Sequence, residues 1–530
     1  MANPIITKMD QAMDEKRFWS YFLDFCKELP KSNVTKEELL DILPRIKSSL
    51  GNDMAAFEIH NALHDYIKEH PESGEWLLEA IVESQNGQLY EFLSEVIASL
   101  SEVDGVESAW PILSGLLEIE NLSYYALNSV LRLGLDRLPS EKRTPIIHEL
   151  ANKLSPLIES GNTSIQGEVL KVLASFRDDI EWADVEILRI AEIDSIDVQS
   201  KIYLVLDERF DRKESPDIYR TLLLKLSKIG SEYLGLINLI ERMLESLLDE
   251  DPNLLEEFLR SWVLAHSEND EGNIKSFEHF FIKAFREKQQ WFRVLLTKWL
   301  NDDESAFHRA FKGVLSILFV SKIYEVELDE QHIKNTDFKG IRYLTSKILG
   351  YAFSHQHLKS LLFSILKSRE DEVSFQIISS AFTEYVVINY HSSIDYLKAR
   401  RPEVSVRRKE VIDYIIETSE AYFKALEELP NIGEVEGSEK RAILYGKLEE
   451  KQLQESLQSS QKGSFMEMAR QINLKVGDSW FHRYPNGEYS EKQRLEKFGF
   501  EYKYEMPRAE ILNQYGMALA RLHWTNEKRL

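Results

Sequence analysis

Residues 231–249 read SEYLGLINLIERMLESLLD, and this stretch decides the fold. Its apolar residues recur at spacings of three and four, which is the period of one face of an α-helix. The main stripe consists of Tyr233, Leu236, Ile237, Ile240, Leu244, Leu247 and Leu248. Leu234, Leu239 and Met243 widen the stripe beyond a single face. The sequence therefore predicts a helix that neighbouring helices cover on more than one side.

The rest of residues 10–430 continues as short amphipathic segments with almost no strand patterning. Pro, Gly or an N-capping residue separates one segment from the next, as expected for helices joined by short connections. Thr35 with Glu38, and Thr163 with Gln166, have the spacing of a capping box ahead of an apolar run. Each pair predicts the first turn of a helix.

Broadly covered helices that recur in pairs at about 35 to 45 residues resemble HEAT and armadillo repeats. The resemblance is one of periodicity, because no consensus of specific residues repeats along the chain. It implies an all-α fold: a HEAT-like helical-repeat solenoid that continues into a helical domain, with a small C-terminal hairpin-containing module. It assigns no functional residue. A compact, irregular all-helical domain is the alternative.

Changes in composition divide the chain into four expected segments. These are a HEAT-like helical array at 1–300, a helical domain at 301–430, a polar helical connector at 431–473 and a small α/β module at 474–530. The last segment differs most from the others, because Asn486-Gly487 after aromatic residues predicts a hairpin turn. Pro507 then predicts the start of a final helix.

Charge and cysteine content limit the class of protein. The 530 residues include 65 Lys and Arg against 89 Asp and Glu, for a formal net charge of −24. Such a field repels nucleic acid and anionic membranes from most of the surface. Cys26 is the single cysteine, which excludes internal disulfides and thiolate-rich zinc sites. With no apolar run near 18 residues, we expect a cytoplasmic protein without a membrane partner.

Two groups of residues are candidates for metal chemistry. His60 and His64 lie four residues apart, so both imidazoles would share one helix face, although no Glu stands between them as in zinc proteases. Asp478, followed by Glu501 and Lys503, resembles the Asp and Glu-x-Lys pattern of metal-dependent nucleases. In that family the carboxylates hold Mg²⁺ and the Lys contacts the attacked phosphate. The alternative is that Glu501 and Lys503 form the solvated face of a strand.

A basic cluster interrupts the acidic sequence between residues 398 and 409. We call it the basic island, and its members are Lys398, Arg400, Arg401, Arg407, Arg408 and Lys409. These side chains could donate hydrogen bonds to the oxygens of a phosphate or of an acidic partner. The alternative is that they neutralise the protein's own acids.

The sequence lacks phosphate-binding glycine loops and the nucleophile elbow of hydrolases, which favours a protein without catalytic activity or cofactor. We expect a scaffold or adaptor subunit of a cytoplasmic complex that binds other proteins along its helical array. The alternative is an accessory or effector subunit that acts on nucleic acid, for example in anti-phage defence. It would use the basic island for contact and the C-terminal module as a nuclease-like site.

Overall fold

A computed structural model describes residues 3–428 except 16, 52–55, 85 and 270–273, together with residues 507–529 and a few positions between 443 and 494. The chain divides into two compact units, Met1–Ile229 and Gly230–Leu530. The predicted boundaries of the four segments stay a prediction. In the described part of the chain, no helix combines the length and apolar content that crossing a bilayer requires.

The first unit is built from helices joined by short connections. They are α1 (Pro4–Asp14), α2 (Phe18–Glu28), α3 (Lys36–Leu50), α4 (Ala56–Glu69), α5 (Pro71–Glu83), α6 (Gly87–Tyr90), α7 (Leu93–Asp104), α8 (Val106–Leu116), α9 (Ser123–Val130), α10 (Ser140–Ile158), α11 (Thr163–Ser175), α12 (Ala183–Ile190), α13 (Ile196–Glu208) and α14 (Pro216–Leu226). Helices α4, α7, α9, α11 and α13 contact one another in succession. The intervening helices α8, α10 and α12 pack against this row. This alternation confirms the predicted HEAT-like helical-repeat stacking.

The second unit continues with α15 (Leu234–Glu250), α16 (Pro252–Ala265), α17 (Glu278–Glu287), α18 (Gln289–Leu300), α19 (Ser305–Val320), α20 (Glu330–Asn335), α21 (Phe338–Tyr351), α22 (His355–Ser368), α23 (Glu372–Ala381), α24 (Val387–Asn389), α25 (Ser393–Arg400), α26 (Val406–Glu427), α27 (Arg508–Leu512) and α28 (Gln514–Asn526). Helices α15, α17, α19, α21 and α23 again contact in succession. A π-helical segment, Phe382–Val386, separates α23 from α24. The all-α fold class is therefore confirmed in both units.

The C-terminal helices α27 and α28 pack on the second unit through polar contacts. Glu510 is buried and accepts a hydrogen bond from the Tyr385 hydroxyl at 2.7 Å. Arg521 on α28 pairs with the same carboxylate at 2.5 Å. The Glu510 backbone N–H donates to the side chain of Asn389 at 3.1 Å. Trp524 packs edge-on against the Tyr385 ring. These contacts hold the end of the chain against the π-helical segment.

Of the two predicted capping boxes, one is present in the structure and the other is not. The capping box of Thr35 and Glu38 is present at the start of α3. At α11 the predicted box of Thr163 and Gln166 is wrong, because Asn162 caps the helix by accepting from the next backbone N–H groups. The Gln166 side chain instead donates a hydrogen bond to the Ile158 carbonyl at 2.7 Å. This bond joins α11 to the last residue of α10.

Helix α15 differs from the predicted burial. Ile237, Ile240 and Leu244 are buried, as the main stripe requires. Leu234 and Leu239 are exposed, so these two residues do not widen the covered face as predicted. Periodicity identified the helix correctly, but it did not show which apolar residues meet a neighbour.

Two short strands lie in the C-terminal region, β1 (Ser479–Trp480) and β2 (Gln493–Arg494). They pair antiparallel, with Ser479 opposite Arg494 and Trp480 opposite Gln493. The predicted turn at Asn486-Gly487 lies outside the described residues, so the hairpin turn stays a prediction. Pro507 is the N-cap of the short helix α27, as predicted for a helix start, but the last described helix is α28, whose N-cap is Asn513.

Candidate functional site

A chain of polar contacts links the consecutive helices α4, α7, α9, α11 and α13 of the first unit. We call it the polar ladder, and its members are His60, His64, Glu95, Ser99, Asn128, Arg132, Glu168, Lys171, Asp197 and Lys201. Most of its contacts join side chains on neighbouring row helices, and one, between Glu168 and Lys171, lies within α11.

The first rungs join α4, α7 and α9. The Nδ1 atom of His60 lies 2.9 Å from the Oε2 atom of Glu95, whose side chain is almost fully buried. Arg132, just after α9, pairs with the other carboxylate oxygen of Glu95. His64 Nδ1 lies 2.8 Å from the Ser99 hydroxyl. The Glu95 charge is thus held between a half-buried imidazole and an exposed guanidinium.

The later rungs join α9, α11 and α13. Lys171 donates to the Asn128 side chain at 3.2 Å and lies 3.0 Å from the Glu168 carboxylate. Lys201 on α13 pairs with the other oxygen of Glu168, which is fully buried. Ser164 at the start of α11 donates to Asp197 at 2.8 Å. Buried charges require partners of this kind, because an uncompensated buried carboxylate is costly.

Aromatic side chains lie beside the ladder. Tyr124 and Tyr125 on α9 are half-buried, and their ring centroids are 5.1 Å apart. The Tyr125 ring also packs against Tyr90 at 5.7 Å. Burial, with the nearby charge of Glu168, raises the pKa of Tyr124 above its usual range. Its hydroxyl therefore stays protonated and able to donate. The face offers tyrosines and an arginine, residue types that are enriched in protein-binding hot spots.

His60 and His64, the predicted metal ligands, contact different acids, and the metal site stays a prediction. His60 faces Glu95, while His64 lies 3.5 Å from Glu102 and contacts Ser99. Among the residues that the structure describes, no three His, Cys, Asp or Glu side chains form a ligand set. The Cys26 thiol is buried, and burial, with the charge of Glu58, raises its pKa to about 12. A thiol with this pKa is a poor nucleophile.

The basic island is brought together at α25 and α26, where acids of the same chain meet most of its members. Arg401 pairs with Asp413 through two contacts of 2.7 Å, and Lys398 lies 2.7 Å from Glu420. The other pairs are Arg400 with Glu325 at 3.1 Å, Arg407 with Glu372 at 3.5 Å and Arg408 with Glu370 at 2.8 Å. Lys409 follows on α26 and is half-buried. This geometry favours neutralisation of the protein's own acids, and an external contact stays a prediction.

The candidate nuclease residues Asp478, Glu501 and Lys503 lie outside the described residues, so that site stays a prediction. The polar ladder, in contrast, was missed by the sequence analysis. Its signal is weak, because the polar residues that meet across helices are separated by between 33 residues, as in Glu168 with Lys201, and 43 residues, as in Asn128 with Lys171. Such a separation identifies a contact only once the repeat length is known.

No family model and no curated protein matches this chain. Among solved structures, the chain is similar to the karyopherin Kap121p bound to Ste12p, at 14% identity and a TM-score of 0.29, covering 77% of this chain and 48% of that one. Kap121p bound to RanGTP matches at 15% identity and a TM-score of 0.27, covering 81% and 54%. A circular tandem repeat protein matches at 14% identity and a TM-score of 0.15, covering 80% and 96%.

The chain thus spans about half the length of the Kap121p chains that it matches. At these TM-scores the matches carry no argument about partners or activity. The helical-repeat fold rests on the helix contacts of the chain itself.

Proposed function

We propose that this chain is a non-catalytic scaffold or adaptor subunit of a cytoplasmic complex and binds protein partners on the face that carries the polar ladder. The observation that carries the proposal is that the ladder connects five consecutive row helices. Stacked repeats of this kind present a continuous surface to a partner. A surface whose charged groups are already fixed by neighbours loses little side-chain freedom on binding.

The chemistry of the face favours a protein partner. Tyr124, Tyr125 and Arg132 supply aromatic area and a guanidinium, which are typical anchors of protein interfaces. Buried Glu95 and Glu168 already balance the cations nearest to them. A polyanion would have to compete with Glu95 and Glu168 for Arg132, Lys171 and Lys201, which favours a protein over nucleic acid.

The proposal is tested by purifying the tagged full chain from native lysate and identifying co-purifying proteins by mass spectrometry. We expect the double variant Tyr124→Ala and Tyr125→Ala to lose partners that the wild type retains. The matched control replaces two exposed tyrosines of α26, Tyr414→Ala and Tyr422→Ala, and should retain them. Melting curves verify that both variants are folded. Identical partner sets for the two variants, or recovery of nucleic acid alone, would contradict the proposal.

A further inference from the structure

A cavity of about 450 Å³ opens in the second unit between the end of α19 and helices α22 and α25. Aromatic rings form part of its lining, namely Phe285, Tyr324 and Tyr396. No candidate residue named in the sequence analysis lines the cavity. Arg400 of the basic island lies beside it, with its guanidinium carbon 5.5 Å from the centre of the Tyr396 ring. The cavity is therefore a distinct feature that touches the island at one point.

The described lining of this cavity contains more basic than acidic residues, unlike the sequence as a whole. Lys322 and Lys359 line it, and the Lys359 ammonium lies 5.0 Å from the centre of the Tyr396 ring. Glu325 is the one acid among the described lining residues, and Arg400 already pairs with it at 3.1 Å. Against a formal net charge of −24 for the whole chain, this local excess of cations favours an anionic ligand.

The backbone at Lys322 is unusual. It is the one non-glycine residue with positive φ in the described part of the chain, with φ of 58°. It directly follows the C-cap of α19, a position where glycine is the favoured residue because it has no Cβ. Lysine therefore places an exposed ammonium at the cavity edge at the cost of a less favourable backbone conformation. Such local strain is concentrated at functional sites.

One side-chain amide oxygen in the cavity wall has no hydrogen-bond donor among the described residues. The Oε1 atom of Gln356 is buried, and no hydrogen-bond donor reaches it among the described residues. A buried acceptor without a donor is unfavourable, and a ligand N–H would satisfy it. A peptide backbone supplies such an N–H. A phosphate or carboxylate group alone does not.

We propose that this cavity binds an acidic peptide segment of a partner protein, with one aromatic or large aliphatic side chain against Tyr324 and Tyr396. Carboxylates of the segment meet Lys322 and Lys359, and a backbone N–H of the segment donates to Gln356. The inference rests on the proposed scaffold function and names the chemistry of one class of partner.

The test uses the full chain and a dye-labelled decapeptide of Glu and Gly with one central Phe, measured by fluorescence anisotropy. The wild type should bind this probe. Replacing Phe by Ala in the probe should weaken binding more than about tenfold, because the apolar contact is lost. Probes with Gln or Lys in place of Glu should bind more weakly still or not at all. Equal binding of acidic, neutral and basic probes, or binding of oligothymidylate but no peptide, would overturn the proposal.

Two variants separate a binding role from a structural one. Lys322→Gly should weaken binding of the probe about threefold while the melting temperature rises, because glycine adopts this φ without strain. Gln356→Leu should weaken binding about fivefold without loss of stability, since its oxygen accepts no hydrogen bond from the described residues. The control Lys339→Gln removes one exposed charge of α21 outside the cavity and should bind as the wild type does. A lower melting temperature for Lys322→Gly, or unchanged binding by both cavity variants, would refute the inference.

Failure here is distinguishable from failure of the scaffold proposal. If the probe does not bind but Tyr124→Ala with Tyr125→Ala still loses partners, only the cavity inference is wrong. If the probe binds as expected and the tyrosine variants keep every partner, the ladder face is not the partner site.

Discussion

The buried carboxylate of Glu168 offers the most informative perturbation of the polar ladder. It is fully buried and pairs with Lys171 and Lys201, whose side chains are each 19% exposed. Glu168→Gln keeps the shape of the side chain and removes its charge. Two ammonium groups then share a site without an acid, and the link between α11 and α13 is weakened.

The size of the effect follows from the geometry. At 3.0 Å, the Glu168 to Lys171 distance, Coulomb attraction is about 5 kcal/mol at an effective dielectric constant near 20. Desolvation of the carboxylate offsets part of this attraction in the native protein. The two lysines retain some contact with water and can turn outward after the substitution. We therefore expect a loss of about 3 kcal/mol, the lower end of the range for breaking a buried pair.

Hydrogen exchange of the full chain, followed by mass spectrometry, measures this loss locally. Protection of α11 and α13 should fall about a hundredfold in Glu168→Gln. The matched control is Glu118→Gln, which breaks a pair with Lys153 where the Glu side chain is 66% exposed. It should change protection by less than about 1 kcal/mol. Equal effects of the two substitutions would show that the ladder does not hold these repeats together.

Three further predictions concern the second unit. Burial, with the charge of Lys347, lowers the pKa of His308 from 6.5 to about 4, so the folded chain binds fewer protons than the unfolded chain between these values. The free energy of unfolding should therefore decrease as the pH drops through this window. In His308→Phe this decrease, measured by urea unfolding at each pH, should be smaller by about 3 kcal/mol. Arg521→Met leaves the buried Glu510 without its cation, so limited proteolysis should cleave residues 507–529 faster than in the wild type. Arg401→Gln breaks an exposed pair and should leave the urea midpoint of unfolding close to that of the wild type.

Features determined by neighbouring residues could be predicted from the sequence. The capping box of Thr35 and Glu38 needs only a three-residue spacing, and it forms as predicted. The similar pair at Thr163 fails because Asn162, one residue earlier, is the better-placed cap. Helical periodicity identified α15, but exposure of Leu234 depends on whether another helix covers it. Whether a helix covers Leu234 is decided by residues distant in the sequence.

Features that depend on distant residues could not be predicted. The sequence shows six basic residues between 398 and 409, but not that Glu325 and Glu372 reach Arg400 and Arg407 from other parts of the fold. One partner of Glu168 is local, because Lys171 follows three residues later on α11, but the other, Lys201, belongs to the next row helix. Only the stacking of the repeats brings these charges together. The exact side-chain pairs then follow from the register of the stack.

Site-specific photo-crosslinking tests the central claim most directly. A benzoylphenylalanine placed at Tyr124, beside the polar ladder, is compared with one at Val185, an exposed residue of α12. After irradiation in native lysate, adducts of the full chain are identified by mass spectrometry. Binding along the ladder face predicts discrete protein adducts at Tyr124 and none of these at Val185. The same adducts at both positions, or nuclease-sensitive adducts alone, would contradict the scaffold account.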